Sequence, residues 1–262
     1  MSFLLHDKHI KYYTCEAFDS YGIKHMFTTR IGGVSKPPFD SLNFAEGSGD
    51  MRDTNENVVA NYQLAAAELG FNASDVCRAY QAHTANVMIC DEDSRGMGIT
   101  FPRPENGIDA LVTNKKGVVL SVRTADCVPV LLCDPVSGVI AAVHSGWRGT
   151  CQSISRATIE AMQSLGASTD RIIAAIGPHA GVCCYEVGDE LCSHFDADCF
   201  EKNGGRLYLD LTKANKKVLL SSGIKECNIS DSGLCTVCDE RHFFSHRRDG
   251  VNRGVMAAFI VL

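Results

Sequence analysis

Three residues in the middle of the chain have the side-chain chemistry of a metal site. They are His83 in Gln81-Ala82-His83, Cys127 at the end of Thr124-Ala125-Asp126-Cys127, and His144 just ahead of Gly146-Trp147-Arg148-Gly149. Imidazole and thiolate are the ligands zinc favours, and three protein ligands leave a fourth tetrahedral position for water or substrate, the mark of a catalytic site. Copper suits the same donors and is the alternative occupant, since its affinity generally exceeds that of zinc. Taken singly, each residue also has an ordinary explanation: His83 as a turn cap, Cys127 as core, His144 as a satisfied histidine at a sheet edge. The separations of 44 and 17 residues match no compact metal motif, so spacing leaves both readings open. The same trio also reads as a metal-free hydrolase, with Cys127 as nucleophile and His83 or His144 as its base.

Other residues qualify these readings. Arg148 lies on a glycine-flanked loop leading into a helix start, where guanidinium and free backbone N–H groups both favour an anion such as phosphate. Arg30, in Thr29-Arg30-Ile31-Gly32-Gly33, is a second phosphate candidate, whereas Arg247 and Arg248 read as ion-pair partners. Trp147, the only tryptophan, either stacks on a flat base or packs the loop. A zinc deaminase pairs its metal with the glutamate of His-x-Glu, which is absent; Asp126 is the nearest carboxylate, and strand alternation would turn it away from Cys127 into a supporting role. None of the nine histidines forms a His-x-His pair, which argues against a conventional multicopper cluster. Cys235-Thr236-Val237-Cys238 has metal-like spacing but no second pair at a matching distance, and reads as structural.

The motifs occur in a recognisable order. QAHTANV, DALVT, TADCVPVLLCDP, AAVHSGWRGT, IGP followed by CCYEVG, and SHRRDG, preceded by TRIGGVS and PFDSLNF, resemble the YfiH/laccase-domain family, also called the polyphenol oxidase or peptidoglycan-editing-factor family. The resemblance runs from about Thr29 to the C-terminus. It implies one α/β domain over residues 1–262, of mixed β-sheets sandwiched by helices, with zinc held by His83, Cys127 and His144. It also implies a purine nucleoside phosphorylase acting on adenosine, inosine and methylthioadenosine with phosphate, with an accompanying adenosine deaminase activity. The remaining alternatives are a cysteine hydrolase that edits cell-wall precursors through Cys127 and a copper-dependent polyphenol oxidase. Two positions depart from the family pattern: His179 stands where many relatives have Cys after IGP, and Asn252-Arg253-Gly254 replaces a Thr-Gly-Arg pattern.

The elements that must position these residues are readable in outline. Val58, Tyr62, Ala65 and Leu69 mark one face of a helix over 54–69, stopped by Gly70. VCRAYQ and NVMICD read as short strands that leave His83 in the turn between them. DALVT, VVLSV, VPVLLCD and VIAAVH form a cluster of buried strands separated by turn signals. Ile154, Ala157, Ala161 and Leu165 then mark a helix, so the His144–Gly149 segment joins a strand to a helix start. RIIAAIG reads as a strand, the region around Val187–Phe195 and Leu211–Leu220 as helices, and VMAAFIVL as a final buried strand. Hairpin-like strand pairs mixed with helices favour mixed sheets over a purely parallel one.

Composition bounds the partners. With 262 residues, 45% of them hydrophobic, the chain can bury a sizeable core. A net charge of -6 without a Lys/Arg-rich block argues against nucleic acid or a membrane surface and leaves a small molecule as the expected partner; the family resemblance implies that these are purine nucleosides and phosphate. The opening segment lacks a basic stretch followed by a long apolar run, so a cytoplasmic location is expected. Thirteen cysteines, an odd number and several inside apolar runs, read mostly as reduced thiols.

Overall fold

The structure, a computed structural model, describes residues 2–47 and 49–262. Its strands are β1 (Phe3–Asp7), β2 (Lys11–Cys15), β3 (Lys24–Thr28), β4 (Val76–Arg78), β5 (Val87–Ile89), β6 (Ala110–Thr113), β7 (Val119–Thr124), β8 (Val128–Asp134), β9 (Val139–Ser145), β10 (Ile173–Ile176), β11 (Glu186–Val187), β12 (Phe200–Asn203), β13 (Arg206–Leu209), β14 (Ile229–Asp231) and β15 (Met256–Val261). Its helices are α1 (Glu16–Asp19), α2 (Asn55–Glu68), α3 (Trp147–Cys151), α4 (Ile154–Ser164), α5 (Leu211–Ser221) and α6 (His246–Asp249). One six-stranded sheet runs β1-β2-β3-β15-β7-β4 and the other β14-β10-β8-β9-β6-β5, while β11-β13-β12 form a small third sheet. Both large sheets are mixed: β4–β7, β5–β6 and β10–β14 pair in parallel and the remaining neighbours antiparallel.

Strand alternation explains the layering. Leu111, Leu131, Ile140 and Ala142 of one sheet meet Leu120, Val122, Ala258 and Ile260 of the other in a shared core. The intervening residues Val130, Leu132, Ala141 and Val143 face outward against Ile159 and Met162 of α4 and Leu219 of α5. On the far side, Val119, Ala257, Phe259 and Val261 pack under Val58, Tyr62 and Ala65 of α2. Strands buried on both faces cannot alternate apolar with polar, which is why β8, β9 and β15 read as unbroken apolar runs. Phe259 meets Phe44 and Tyr62 edge-on at 5.5 and 5.9 Å, and truncating such a buried ring to Ala costs about 3–5 kcal/mol.

The expected helix over 54–69 is α2, started by the Thr54 side chain, which accepts from the Asn57 amide. The segment around Val187–Phe195 differs from expectation. Val187 pairs with Leu207 in the small sheet, and only a short 3-10 turn, Asp189–Ser193, follows. Strand pairing consumes the backbone groups that a longer helix would have used. No helix among the described residues is long and apolar enough to cross a membrane.

Candidate metal centre and active site

Sheet register brings the trio together. Pro129 of β8 pairs with His144 of β9 and Val128 with Ser145, so Cys127, one residue before β8, emerges beside His144 at the same end of the hairpin. The 17-residue separation is therefore one hairpin. His83 arrives from the loop before β5, and β5 pairs with β6, which pairs with β9, so this loop reaches the same sheet end. The ligand atoms of His83, Cys127 and His144 all lie within 4.8 Å of one another, with Cys127 Sγ 3.8 Å from His83 Nε2. Tetrahedral zinc, with Zn–S of about 2.3 Å and Zn–N of about 2.0 Å, needs ligand atoms roughly 3.3–3.8 Å apart. The donor set and spacing fit one such ion. Gly146 leaves the room: a Cβ there would sit 3.0 Å from both Cys127 Sγ and His83 Cδ2.

Asp109, which sequence reasoning passed over, organises the site. It is fully buried, and its carboxylate accepts from the amides of Ala82, His83 and Thr84, from the Thr84 hydroxyl, and from His144 Nδ1 at 2.7 Å. These bonds fix the turn in which His83 adopts φ 60°, a left-handed conformation uncommon for residues other than Gly. With Nδ1–H committed to Asp109, His144 turns Nε2 toward Cys127 and His83, the orienting bond typical of a metal-ligating histidine. Its signal in the sequence was a carboxylate leading straight into the buried strand Ala110–Thr113.

Without a metal, the site is an ion pair. Burial opposes charge on Cys127, but the adjoining His144, and after it His83, outweigh burial and hold the thiol down at about 6. Burial likewise opposes charge on His144, and is overcome by Cys127 and Asp109, which raise it to about 9. Asp109 settles at about 2, burial being outweighed by the bonds from His144 and Thr84. Thiolate and imidazolium therefore coexist between about pH 6 and 9, and a cation replacing the imidazolium proton finds the sulfur already charged.

The trio opens into a cavity of about 280 Å³. Trp147, Arg148, Tyr185, Leu211, His246 and Arg247 form its walls with Asp126. Arg148, exposed in the first turn of α3, lies over the Trp147 ring at 4.3 Å. Arg247, expected to be an ion-pair partner, instead lies 5.1 Å over Tyr185 on the cavity wall, with no salt bridge among the described residues. Arg248 matches that expectation, since it pairs with Asp249 and donates to the carbonyls of Thr236, Val237 and Phe243. Burial pushes the Tyr185 phenol up to about 12, so it remains a neutral donor. Asp126 turns away from Cys127, with φ 88°, and accepts from the Thr236 and Ser245 hydroxyls and the Arg247 amide.

Two residues singled out in the sequence lie outside the lining of this cavity. Arg30 does not line this cavity; it borders another with Asp40, Arg248 and Arg253, its guanidinium held by the Asp40 carbonyl and stacked 4.4 Å from Phe244. Its guanidinium is engaged by Asp40, so as a phosphate candidate it belongs to that cavity and not to the one beside the trio. His179 is buried, held between the Gly177 carbonyl and the Thr212 hydroxyl, and burial lowers its pKa, so it stays neutral.

Comparison with known proteins agrees with this architecture. Residues 24–262 match the family model described as multi-copper polyphenol oxidoreductase laccase. A purine nucleoside phosphorylase of Deinococcus radiodurans is 41% identical over 246 residues, covering 92% of this chain and 89% of that protein. A protein named adenosine deaminase RL5, from an unknown prokaryotic organism, is 37% identical over 242 residues, covering 89% and 91%. The crystal structure of YlmD from Geobacillus stearothermophilus superposes with a TM-score of 0.89 at 32% identity, covering 99% of this chain and 98% of that one. Despite the family model's description, no group of histidines among the described residues could hold a trinuclear copper cluster. Fold, motif order and full-length similarity agree: the chain belongs to the multi-copper polyphenol oxidoreductase laccase family, with the YfiH-like fold its motifs resemble.

Proposed function

We propose that this protein is a zinc-dependent purine nucleoside phosphorylase that converts adenosine, inosine or methylthioadenosine, with phosphate, to the free base and a pentose 1-phosphate. The observation that carries this reading is one cavity that joins the His83–Cys127–His144 trio to two arginines, Arg148 and Arg247. The one carboxylate on its wall, Asp126, is engaged by the Thr236 and Ser245 hydroxyls and the Arg247 amide, which leaves the two guanidinium groups as the charged donors that can meet an anion. Names carried by the relatives point the same way.

In phosphorolysis a phosphate oxygen bonds to the anomeric carbon while the bond to the purine nitrogen breaks and its electron pair leaves with the base. Arg148 and Arg247 bind and orient the phosphate, because planar guanidinium matches its oxygens. The Tyr185 hydroxyl donates without competing as a base, and Trp147 with Leu211 shields the sugar–base junction from water. Zinc in the trio would supply a Lewis acid that stabilises developing negative charge. Asp109 keeps both imidazoles oriented for that ion. Such chemistry fits the cytoplasm, where thiols like those of this chain stay reduced.

The test is phosphate-dependent release of base and pentose 1-phosphate from adenosine, inosine, guanosine and methylthioadenosine by wild type and a His144→Ala variant. Equal turnover by the two proteins would refute the assignment. Ammonia release in the same assay measures the adenosine deaminase activity that a relative's name suggests. A second reading rests on the Cys127–His144–Asp109 relay, which is also the arrangement of a cysteine hydrolase acting on amides such as cell-wall precursors. Protein that holds no stoichiometric metal, yet loses activity on alkylation of Cys127, would select it.

A further inference from the structure

Cys235-Thr236-Val237-Cys238 is not alone. The turn after Ala180 brings Cys183 and Cys184 to it from 54 or 55 residues away, with Cys184 Sγ 3.3 Å and Cys183 Sγ 3.6 Å from Cys238 Sγ. All four sulfurs lie within 4.8 Å of one another. None is in a disulfide. The matching pair absent from the local sequence is a vicinal one, made usable because successive residues in a turn, unlike those of a strand, can present side chains to one side.

From this geometry we propose that Cys183, Cys184, Cys235 and Cys238 form a second metal centre, a closed tetrathiolate site for a structural zinc ion. Four thiolates at Zn–S distances of about 2.3 Å stand roughly 3.8 Å apart, close to the spacing here, and fill every tetrahedral position, so this ion has no opening for substrate. The Cys-x-x-Cys turn has the backbone such sites use. The Gly181 amide donates to Cys235 Sγ at 3.3 Å. Burial opposes charge on Cys235, but the amides of Cys238, Gly181 and Val237 hold its thiol below the ordinary value. Gly181 is also where a side chain would intrude, since a Cβ would sit 3.3 Å from Cys183 Sγ and 3.4 Å from Cys235 Cβ. Burial and sulfur crowding push Cys183 up to about 11, and Cys184 higher still. A divalent ion displaces those thiol protons and removes the repulsion.

The site staples two segments that build the catalytic wall. Tyr185 follows Cys184 directly and lines the cavity. Thr236, inside the Cys-x-x-Cys turn, donates to Asp126, the residue before Cys127, and its amide donates to the His179 carbonyl. Zinc there would tie both segments together with no contact to substrate.

The experiment is metal analysis with site-resolved alkylation, on protein purified with reductant and without chelator. Two zinc ions per chain are expected in wild type, and one in Cys235→Ser/Cys238→Ser. A His83→Ala/Cys127→Ala variant should also keep one, which separates this proposal from the catalytic site. Wild-type labelling holds even where variants misfold: Cys183, Cys192, Cys227 and Cys238 are all exposed. Cys183 and Cys238 should alkylate at least about ten-fold more slowly in zinc-loaded protein than in the same protein after chelation, while Cys192 and Cys227 label at the same rate in both. Labelling of Cys183 and Cys238 that chelation leaves unchanged, a disulfide within the cluster, iron in place of zinc, or loss of all zinc from His83→Ala/Cys127→Ala would each overturn the proposal.

Discussion

Replacing Asp109 with Asn tests how the site is assembled, because the change preserves shape and removes charge. Asp109 accepts five hydrogen bonds while fully buried, and holding its carboxyl at about 2 rather than near 4 corresponds to about 2–3 kcal/mol of preference for the charged form. Because the folded-state pKa is depressed, that contribution is complete above about pH 4 and is lost as the pH falls toward about 2. In the Asp109→Asn protein one side-chain oxygen must serve donors that two shared, and the new NH2 group faces N–H or O–H donors. The two histidines of the trio lose their orientation together: His83 through its turn and His144 through Nδ1. Loss of an orienting partner typically weakens metal affinity about 10–100-fold, or about 1.4–2.7 kcal/mol. The assay is competition for zinc against a chromophoric chelator at pH 7.5, with circular dichroism to confirm folding. Zinc affinity within about two-fold of wild type in a folded Asp109→Asn protein would refute the argument that this carboxylate preorganises the site.

Gly146→Ala should fold but lose zinc from the trio, because the new methyl sits 3.0 Å from two ligand side chains; full zinc occupancy would contradict this. In metal-free protein, alkylation of Cys127 should reach half its maximal rate near pH 6, since the thiolate form is present above that value and lost below it; a midpoint near 9 would show that no ion pair forms. Arg148→Ala and Arg247→Ala should each raise KM for phosphate about ten-fold or more, with a smaller effect on KM for nucleoside, measured in initial-rate assays. An unchanged phosphate KM in both variants would remove the arginines from the anion site.

How much of this was legible depended on range. Strands β8 and β9 and helix α2 could be read because burial on both faces, or on one helical stripe, writes a local pattern. Strands β1 to β3 were not, since FLLHD, KYYTC and KHMFT are short and interrupted by polar residues. The trio's residue types were apparent, but its convergence rests on the β8–β9 register and on the β9–β6–β5 neighbourhood, which no local spacing encodes. Motif resemblance stood in for that missing range. Asp109 went unnoticed because a single carboxylate before a strand looks like a turn residue until its partners arrive from two distant segments, the 82–84 turn and His144. The location of Arg30 was not legible either: a basic residue in a glycine-rich loop gives no sign of which cavity it borders until Asp40 and Phe244 are seen to engage it.

The measurement that bears most directly on the central claim is nucleoside phosphorolysis followed as zinc is returned to metal-free protein. Adenosine and phosphate are supplied throughout, and adenine and ribose 1-phosphate are quantified against zinc bound. The expected result is negligible turnover without metal, a rise with occupancy of the His83–Cys127–His144 site, and no recovery in His144→Ala at any zinc concentration. Full turnover by the metal-free protein, or recovery in His144→Ala equal to wild type, would contradict it.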